Sequence, residues 1–227
     1  GRAILLRDSN AQQLTHVNCG APFSGHEVSI RDRLNTEVEL GTEGEIWVRG
    51  PSAASQYYNT STPDVFNDDD WVRTGDLGYL HEKNLYITGR LKDLIIVHGR
   101  NIHPQEIEWS AQAVDGVRKG CVVAFSIQDQ SSEALVLLVE TRLDETIVPE
   151  IRAVVLRNHN LPVKHIVLLA PQTIPKTSSG KLQRSAAKQA YQSGVLNRTV
   201  ALPTWLTTIK HLLHATLAMV WHRLKFK

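Results

Sequence analysis

Residues 89–108, GRLKDLIIVHGRNIHPQEIE, decide the fold because the secondary-structure pattern changes within them. LIIV, at 94–97, is a short continuous apolar run of the kind that forms a buried strand. A helix is predicted directly after it, since Pro104 fits the first helical position and Glu106 and Glu108 suit the positive end of a helix dipole. The stretch therefore predicts the start of a mixed α+β region.

On the N-terminal side of this stretch the pattern indicates strands only. A long polar segment, 55–70, contains Pro63 and ends in acidic residues, which is typical of a surface loop. We therefore expect residues 1–90 to form a β-rich subdomain. Its predicted strands lie at 26–30, 36–40, 44–50, 71–80 and 84–90.

On the C-terminal side, helices and strands alternate. We expect a two-layer α+β domain over 91–195, with the order β-α-β-β-α-β of a split βαβ unit. A domain boundary is predicted near Arg90–Asp93. Besides the strand and helix already named, the predicted strands are 120–125, 134–140 and 165–170, and the predicted helices are 145–160 and 181–192.

The last segment, 196–227, is predicted to be a basic helical tail. Large apolar residues recur every three or four positions over 205–224, which indicates an amphipathic helix. Two interpretations stay open: the apolar stripe packs against protein, or it inserts into a membrane surface. The chain has no acid after Glu150 although 12 Lys and Arg follow it, so this half suits a phosphate-bearing ligand, an acidic protein or an anionic membrane.

The composition of the 227 residues is that of a globular protein, with 42% hydrophobic and 21% charged residues, which excludes wholesale disorder. Cys19 and Cys121 form no CxxC pair, and no set of histidines and cysteines has the spacing of metal ligands, so we expect a reducing compartment and no metal site.

No signal peptide and no apolar run of about 18 residues is present. We expect a cytoplasmic protein, with peripheral membrane attachment as the alternative, and no nucleic-acid partner, because no helix-turn-helix or aromatic-basic pattern occurs.

Three short segments combine glycine, hydroxyl and charged residues in a way that a packed core does not require. They are RTGD at 73–76, GRLKD at 89–93 with Gly99 shortly after, and PKTSSGK at 175–181. Each alone has an ordinary structural explanation: a tight turn, an inter-strand turn and a basic loop before a helix.

Taken together and in this order, the three segments resemble the C-terminal part of the acyl-adenylating superfamily, which includes acyl-CoA synthetases, luciferases and peptide-synthetase adenylation domains. GEIWVRGPSAASQYYN, WVRTGDLGYL and IPKTSSGKLQR match successive motifs of that superfamily. The resemblance covers residues 17–195 and is greatest to the fatty acyl-AMP ligases.

The resemblance implies a role for five residues. Lys181 matches the lysine that stabilises the charge of the adenylation transition state. Asp76 matches the aspartate that accepts hydrogen bonds from the ribose hydroxyls of ATP or AMP, and Arg90 matches a second contact to the ribose or phosphate. Lys92 matches the hinge about which a mobile lid domain rotates, and Gly99 lies on the loop through which the thiol enters.

The implied reaction joins a fatty acid to AMP from ATP, releases pyrophosphate, and passes the acyl group to the thiol of an acyl carrier protein or of CoA. The family's phosphate loop, acyl pocket and Mg²⁺-binding glutamate are expected upstream of this sequence, so we expect this chain alone to be incomplete and inactive. The alternative is a catalytically incomplete remnant that binds a carrier protein or a membrane.

Overall fold

The computed structural model describes residues 15–56, 65–66, 69–97, 99–129 and 132–196. The chain divides into two compact units, Gly1–Glu106 and Ile107–Lys227. The domain boundary predicted near Arg90–Asp93 stays a prediction. Within the described residues the fold is α+β, as the sequence predicts.

The first unit contains a four-stranded antiparallel sheet in the order β1-β2-β3-β4. Its strands agree with four of the five predicted in this region. The fifth prediction, a strand at 36–40, is wrong, since these residues contribute only an isolated bridge between Arg31 and Glu37. The strands are β1 (Glu27–Arg31), β2 (Gly44–Arg49), β3 (Val72–His81) and β4 (Asn84–Arg90).

The two faces of this sheet are covered in different ways. Ile30 and Ile46 are directly opposite each other in the β1–β2 register and are both buried. On the other face Trp47 is buried beneath the guanidinium of Arg31, which lies 4.6 Å from its ring centre, a cation–π contact. Arg73 of β3 lies over the same ring, 5.3 Å from its centre, so stacked arginine also connects β2 to the strand that carries RTGD.

A separate two-stranded sheet is formed by β5 (Ile95–Val97) and β6 (Arg100–Ile102). The apolar run at 94–97 was expected to join the sheet of the second domain, and this part of the split βαβ prediction is wrong. The physical reason is local: Gly99 adopts the left-handed conformation, with φ of +72°, so the chain reverses and pairs with itself.

The second unit contains a three-stranded sheet in the order β7-β8-β9, antiparallel between β7 and β8 and parallel between β8 and β9. A helix makes the crossover between the two parallel strands, as parallel pairing requires. The elements are α1 (Pro104–Gln112), β7 (Val117–Asp129), β8 (Ser132–Thr141), α2 (Val148–His159), β9 (Val163–Leu169) and α3 (Arg184–Gln192). The predicted Pro104 at the first position of α1 is confirmed.

The core of this unit lies on both faces of β8, whose residues 135–139 are all buried. On one face Val136 and Leu138 belong to a cluster with Phe125 of β7 and Ala187 of α3. Because β8 and β9 are parallel, their C-terminal ends meet at one edge of the sheet, and the chain leaves β9 there toward PKTSSGK. The fold thus fixes the point from which that loop starts.

The predicted helical tail at 196–227 lies outside the described residues apart from its first residue, so both of its interpretations stay predictions. Among the helices of the described ranges, none is long and apolar enough to cross a membrane.

Candidate functional site

Asp76 and Arg90 are brought together by the β3–β4 register, in which they are opposite each other. Arg90 Nε donates to Asp76 Oδ1 at 2.7 Å, and both side chains are partly exposed. The irregular part of β3 just before Asp76 is held by Thr74, whose Oγ1 donates to the Ile46 carbonyl at 2.7 Å and accepts from the Asp76 N–H at 3.0 Å. A carboxylate and a guanidinium side by side can accept from a diol and donate to an oxygen anion.

Lys92 and Gly99 follow this pair along the chain, within the first unit. Lys92 is exposed on a short 3₁₀ turn, Leu91–Asp93, that begins directly after Arg90. At Gly99 an added Cβ would meet no atom of the described residues within 4 Å, so the positive φ is what requires glycine there. The predicted roles of these two residues in hinge motion and thiol entry stay predictions.

Lys181 lies in the second unit, on a small two-stranded turn that we call the Lys181 ribbon, residues 175–183. Thr177 N–H donates to the Lys181 carbonyl at 2.8 Å, and Lys181 N–H donates to Thr177 Oγ1 at 3.0 Å. Gly180 turns the chain with φ of +82°. A bridge between Lys176 and Leu182 closes the ribbon, and the Lys181 side chain is exposed. The lysine therefore extends from a hydrogen-bonded turn.

Sequence reasoning missed an acid–imidazole cluster in the first unit. Glu43 accepts from His103 Nε2 at 2.8 Å and from Thr88 Oγ1. Burial alone would raise the pKa of Glu43, but these hydrogen bonds outweigh it and lower the pKa to about 2. Gly89 accommodates the imidazole, because a Cβ at that position would lie 2.6 Å from His103 Nδ1. The glycine of GRLKD is thus explained by His103.

Glu108 has a different role from the one predicted. It was expected to complement the dipole of α1, but it is buried and accepts from the Ala124 N–H of β7 at 3.1 Å. Arg184 of α3 donates to both of its oxygens, at 2.8 and 2.7 Å. This bidentate pair connects the first turn of α3 to α1. The signal in the sequence was weak, because the acid and the arginine are 76 positions apart.

Comparison with known proteins gives one match to a family model, described as the AMP domain of Disco-interacting protein 2-like proteins. The match covers residues 92–200 and therefore contains Lys92, Gly99 and the Lys181 ribbon.

Two curated relatives are similar over most of this chain. The medium-chain-fatty-acid–[acyl-carrier-protein] ligase JamA of Moorena producens is 34% identical, over 87% of this chain and 37% of its own length. The long-chain-fatty-acid–AMP ligase FadD32 of Mycolicibacterium smegmatis is 36% identical, over 71% of this chain and 33% of its own length. The chain spans about a third of the length of the curated relatives it matches.

Among solved structures, a fatty acyl-adenylate ligase from a study of the Escherichia coli and Legionella pneumophila proteins matches with a TM-score of 0.75. The sequence identity is 35%, and the match covers 86% of this chain and 36% of the other. The similarity thus extends to both sequence and fold.

Proposed function

Because this chain belongs to the acyl-adenylating, AMP-forming superfamily, we propose that it forms the C-terminal part of a ligase that activates a fatty acid with ATP. The fatty acid carboxylate attacks the α-phosphorus of ATP, an acyl–O–P bond forms, and pyrophosphate leaves. A thiol then attacks the acyl carbon, a thioester forms, and AMP leaves. The thiol belongs to an acyl carrier protein or to CoA.

The observation that carries this proposal is the Asp76–Arg90 pair. The register of β3 and β4 aligns a partly exposed carboxylate with a guanidinium 2.7 Å away. Asp76 accepts hydrogen bonds from the ribose hydroxyls, and Arg90 orients this carboxylate while it donates to the nucleotide.

Lys181 supplies the positive charge for adenylation. As the carboxylate attacks, negative charge accumulates on the oxygens of the α-phosphate, and an ammonium group near them stabilises the transition state more than the ground state. The ribbon supports this role, since it presents the lysine on an exposed turn while its backbone groups are hydrogen-bonded internally.

Lys92 and Gly99 serve the second half-reaction in this proposal. A rotation of the downstream domain about Lys92 would remove Lys181 after adenylation and bring the hairpin turn at Gly99 to the entry path of the thiol. The exposed 3₁₀ turn at Leu91–Asp93 supports a hinge, because no residue of that turn is buried.

Mg²⁺ is expected to accompany ATP in such enzymes. No group of three acidic, histidine or cysteine side chains that could hold a metal ion occurs among the described residues, so no step of the mechanism is assigned to the ion here.

The test is ATP–pyrophosphate exchange in an enzyme that joins this chain to the upstream two thirds of the JamA relative. Exchange that depends on a fatty acid, and that falls when Asp76→Asn or Lys181→Ala is introduced, is the expected result. Exchange unaffected by both substitutions would contradict the proposal and favour the alternative of a non-catalytic binding module. We expect no exchange from the 227 residues alone.

A further inference from the structure

Glu140, near the C-terminal end of β8, is a fully buried carboxylate that the proposed mechanism does not use. Its Oε1 accepts from the Ile174 N–H at 2.9 Å, and its Oε2 accepts from Arg118 Nη1 at 2.8 Å. The Gln172 N–H also donates to it. One side chain therefore binds two backbone groups of the segment that follows β9.

Such a group is costly to bury unless it is well satisfied. Burial alone would raise the pKa of Glu140, but the backbone donors and Arg118 outweigh it, so the pKa lies below its ordinary value. The carboxylate is thus ionised at neutral pH, and a charged acceptor forms stronger hydrogen bonds than a neutral one. An apolar residue would fill the same space without the cost of burying a charge, so packing alone does not explain a carboxylate at position 140.

The segment that Glu140 holds is the entrance to the Lys181 ribbon. Ile174 is buried in the cluster that contains Leu169 and Ala187, and it directly precedes Pro175. At the base of the ribbon Gln183 N–H donates to the Pro175 carbonyl at 3.0 Å. One end of the ribbon is therefore fixed by Glu140.

The other end of the ribbon is fixed by a second buried carboxylate. Glu108 holds Arg184, the residue after Gln183, by two hydrogen bonds. The ribbon is further connected to the first anchor through Lys176, whose Nζ lies 3.1 Å from Cys121 Sγ, and the thiol of Cys121 in turn hydrogen-bonds Glu140. Apart from this Lys176 contact, the hydrogen bonds described for residues 175–182 are the ribbon's own short-range ones.

We propose that Glu140 is a positioning residue that fixes the entrance of the Lys181 ribbon, so that Lys181 reaches the reacting phosphate in the adenylation step. This rests on the proposed function, since it acts through Lys181. A neutral or shorter residue at 140 leaves the Ile174 N–H with a weaker acceptor or none, and the ribbon shifts or fluctuates. A displacement of about 1 Å is enough to reduce a rate strongly.

The first test measures the ribbon in the 227-residue chain. Hydrogen exchange is compared between the parent protein, Glu140→Gln and the matched control Arg118→Gln, which removes the other partner of the same carboxylate. We expect Glu140→Gln to speed exchange of the Ile174, Gly180 and Lys181 amides about tenfold relative to the β8 amides, and Arg118→Gln to leave them within about twofold. Unchanged exchange at 174–181 in Glu140→Gln would overturn the proposal.

The second test is kinetic and uses the same chain joined to the upstream body of the JamA relative. Glu140→Gln is expected to reduce fatty-acid-dependent pyrophosphate exchange about tenfold, with transfer from preformed acyl-AMP to the thiol unchanged. In the Lys181→Ala background the same substitution is expected to cause no further loss, because the group through which it acts is gone.

The outcomes separate the two proposals. If Lys181→Ala leaves adenylation unchanged, the proposed role of Lys181 fails, whatever Glu140 does to the ribbon. If Lys181→Ala slows adenylation but Glu140→Gln has no effect, or reduces it by the same factor with and without Lys181, then Glu140 is only a structural residue. Partial unfolding of Glu140→Gln would reduce adenylation by the same factor with and without Lys181, so the experiment distinguishes a loss of stability from a loss of positioning.

Discussion

Asp76 and Lys181 are held by their surroundings in different ways. Asp76 lies within a ten-residue strand with a neighbour on each side, and its partner Arg90 is fixed by the β3–β4 register. Lys181 lies on a ribbon whose two strands pair with each other, and the residues at its two ends are held by the buried carboxylates Glu140 and Glu108. The group proposed to bind the nucleotide is thus part of a sheet, whereas the group proposed to act on the transition state depends on contacts at the two ends of a turn.

This difference predicts different kinetic signatures. A change at the sheet site is expected to act on nucleotide binding, because Asp76 is proposed to contact the ribose before, during and after the reaction. A change at the ribbon is expected to act on the rate of one half-reaction, because Lys181 is needed only while charge develops on the phosphate.

The largest effect is expected at Lys181. In the JamA-joined enzyme Lys181→Ala should slow adenylation by about 10²–10³, the usual cost of removing one transition-state charge contact. Transfer from preformed acyl-AMP to the thiol should be nearly unchanged. Rapid-quench measurement of each half-reaction tests this, with Lys188→Ala on α3 as the matched control. Equal losses in both half-reactions would mean that Lys181 supports the fold.

The next effect is expected at the sheet site. Asp76→Asn keeps the shape but loses the charged acceptor, so the KM for ATP should rise about 10- to 100-fold, with kcat changed less. The rise should be smaller for Arg90→Lys, which keeps the charge but not the planar donor group. Initial rates over a range of ATP concentrations measure it, with Glu82→Gln in the β3–β4 turn as the control. A loss confined to kcat would place Asp76 in the chemical step and remove the contrast with Lys181.

A third prediction concerns the turn that follows the sheet site. Lys92→Pro fixes φ and removes a backbone donor, so adenylation should survive while thioester formation falls about tenfold or more. Lys92→Ala, which leaves the backbone free, is the control and should perform both steps. If Lys92→Pro forms thioester at the parent rate, the hinge lies elsewhere, and the division between Glu106 and Ile107 becomes the next position to test.

Much of the fold could be predicted from the sequence, because alternation and turn residues are local signals. The β3–β4 hairpin is an example: Glu82 and Lys83, both left-handed, form the two-residue turn between the strands predicted at 71–80 and 84–90. The run at 94–97 shows the limit. A continuous apolar run indicates a strand but not its partner, and here the partner is set by the turn at Gly99 rather than by the larger sheet.

The site could be predicted only in part. Each of RTGD, GRLKD and PKTSSGK is one continuous segment of the sequence, so the resemblance could point to Asp76, Arg90 and Lys181 as candidate site residues. The contacts around these segments join residues that are distant in sequence: Glu140 is 34 positions from Ile174, and Glu43 is 60 positions from His103. A single glutamate in an apolar strand carries no local sign of its partner, so these contacts required the structure.

The smallest expected effect concerns Glu43, which connects the sheet unit to the residue before α1. Its pKa is lowered from 4.5 to about 2, so its contribution to stability is complete above about pH 4.5 and is lost as the pH falls toward 2. Glu43→Gln should lower the free energy of unfolding by about 1 kcal/mol at pH 6, the cost of weakening a hydrogen bond to a charged group. The difference between the two proteins should shrink as the pH approaches 3.

Urea unfolding of the parent protein and of Glu43→Gln between pH 6 and pH 3 measures this difference. Glu39→Gln, an exposed carboxylate in the same β1–β2 connection, is the control. The pKa of Glu106 is raised by burial and, to a smaller extent, by the charge of Glu43, so the response of Glu106 to the substitution is part of the measured difference. A difference that stays constant with pH would show that the charge of Glu43 does not stabilise the contact with His103.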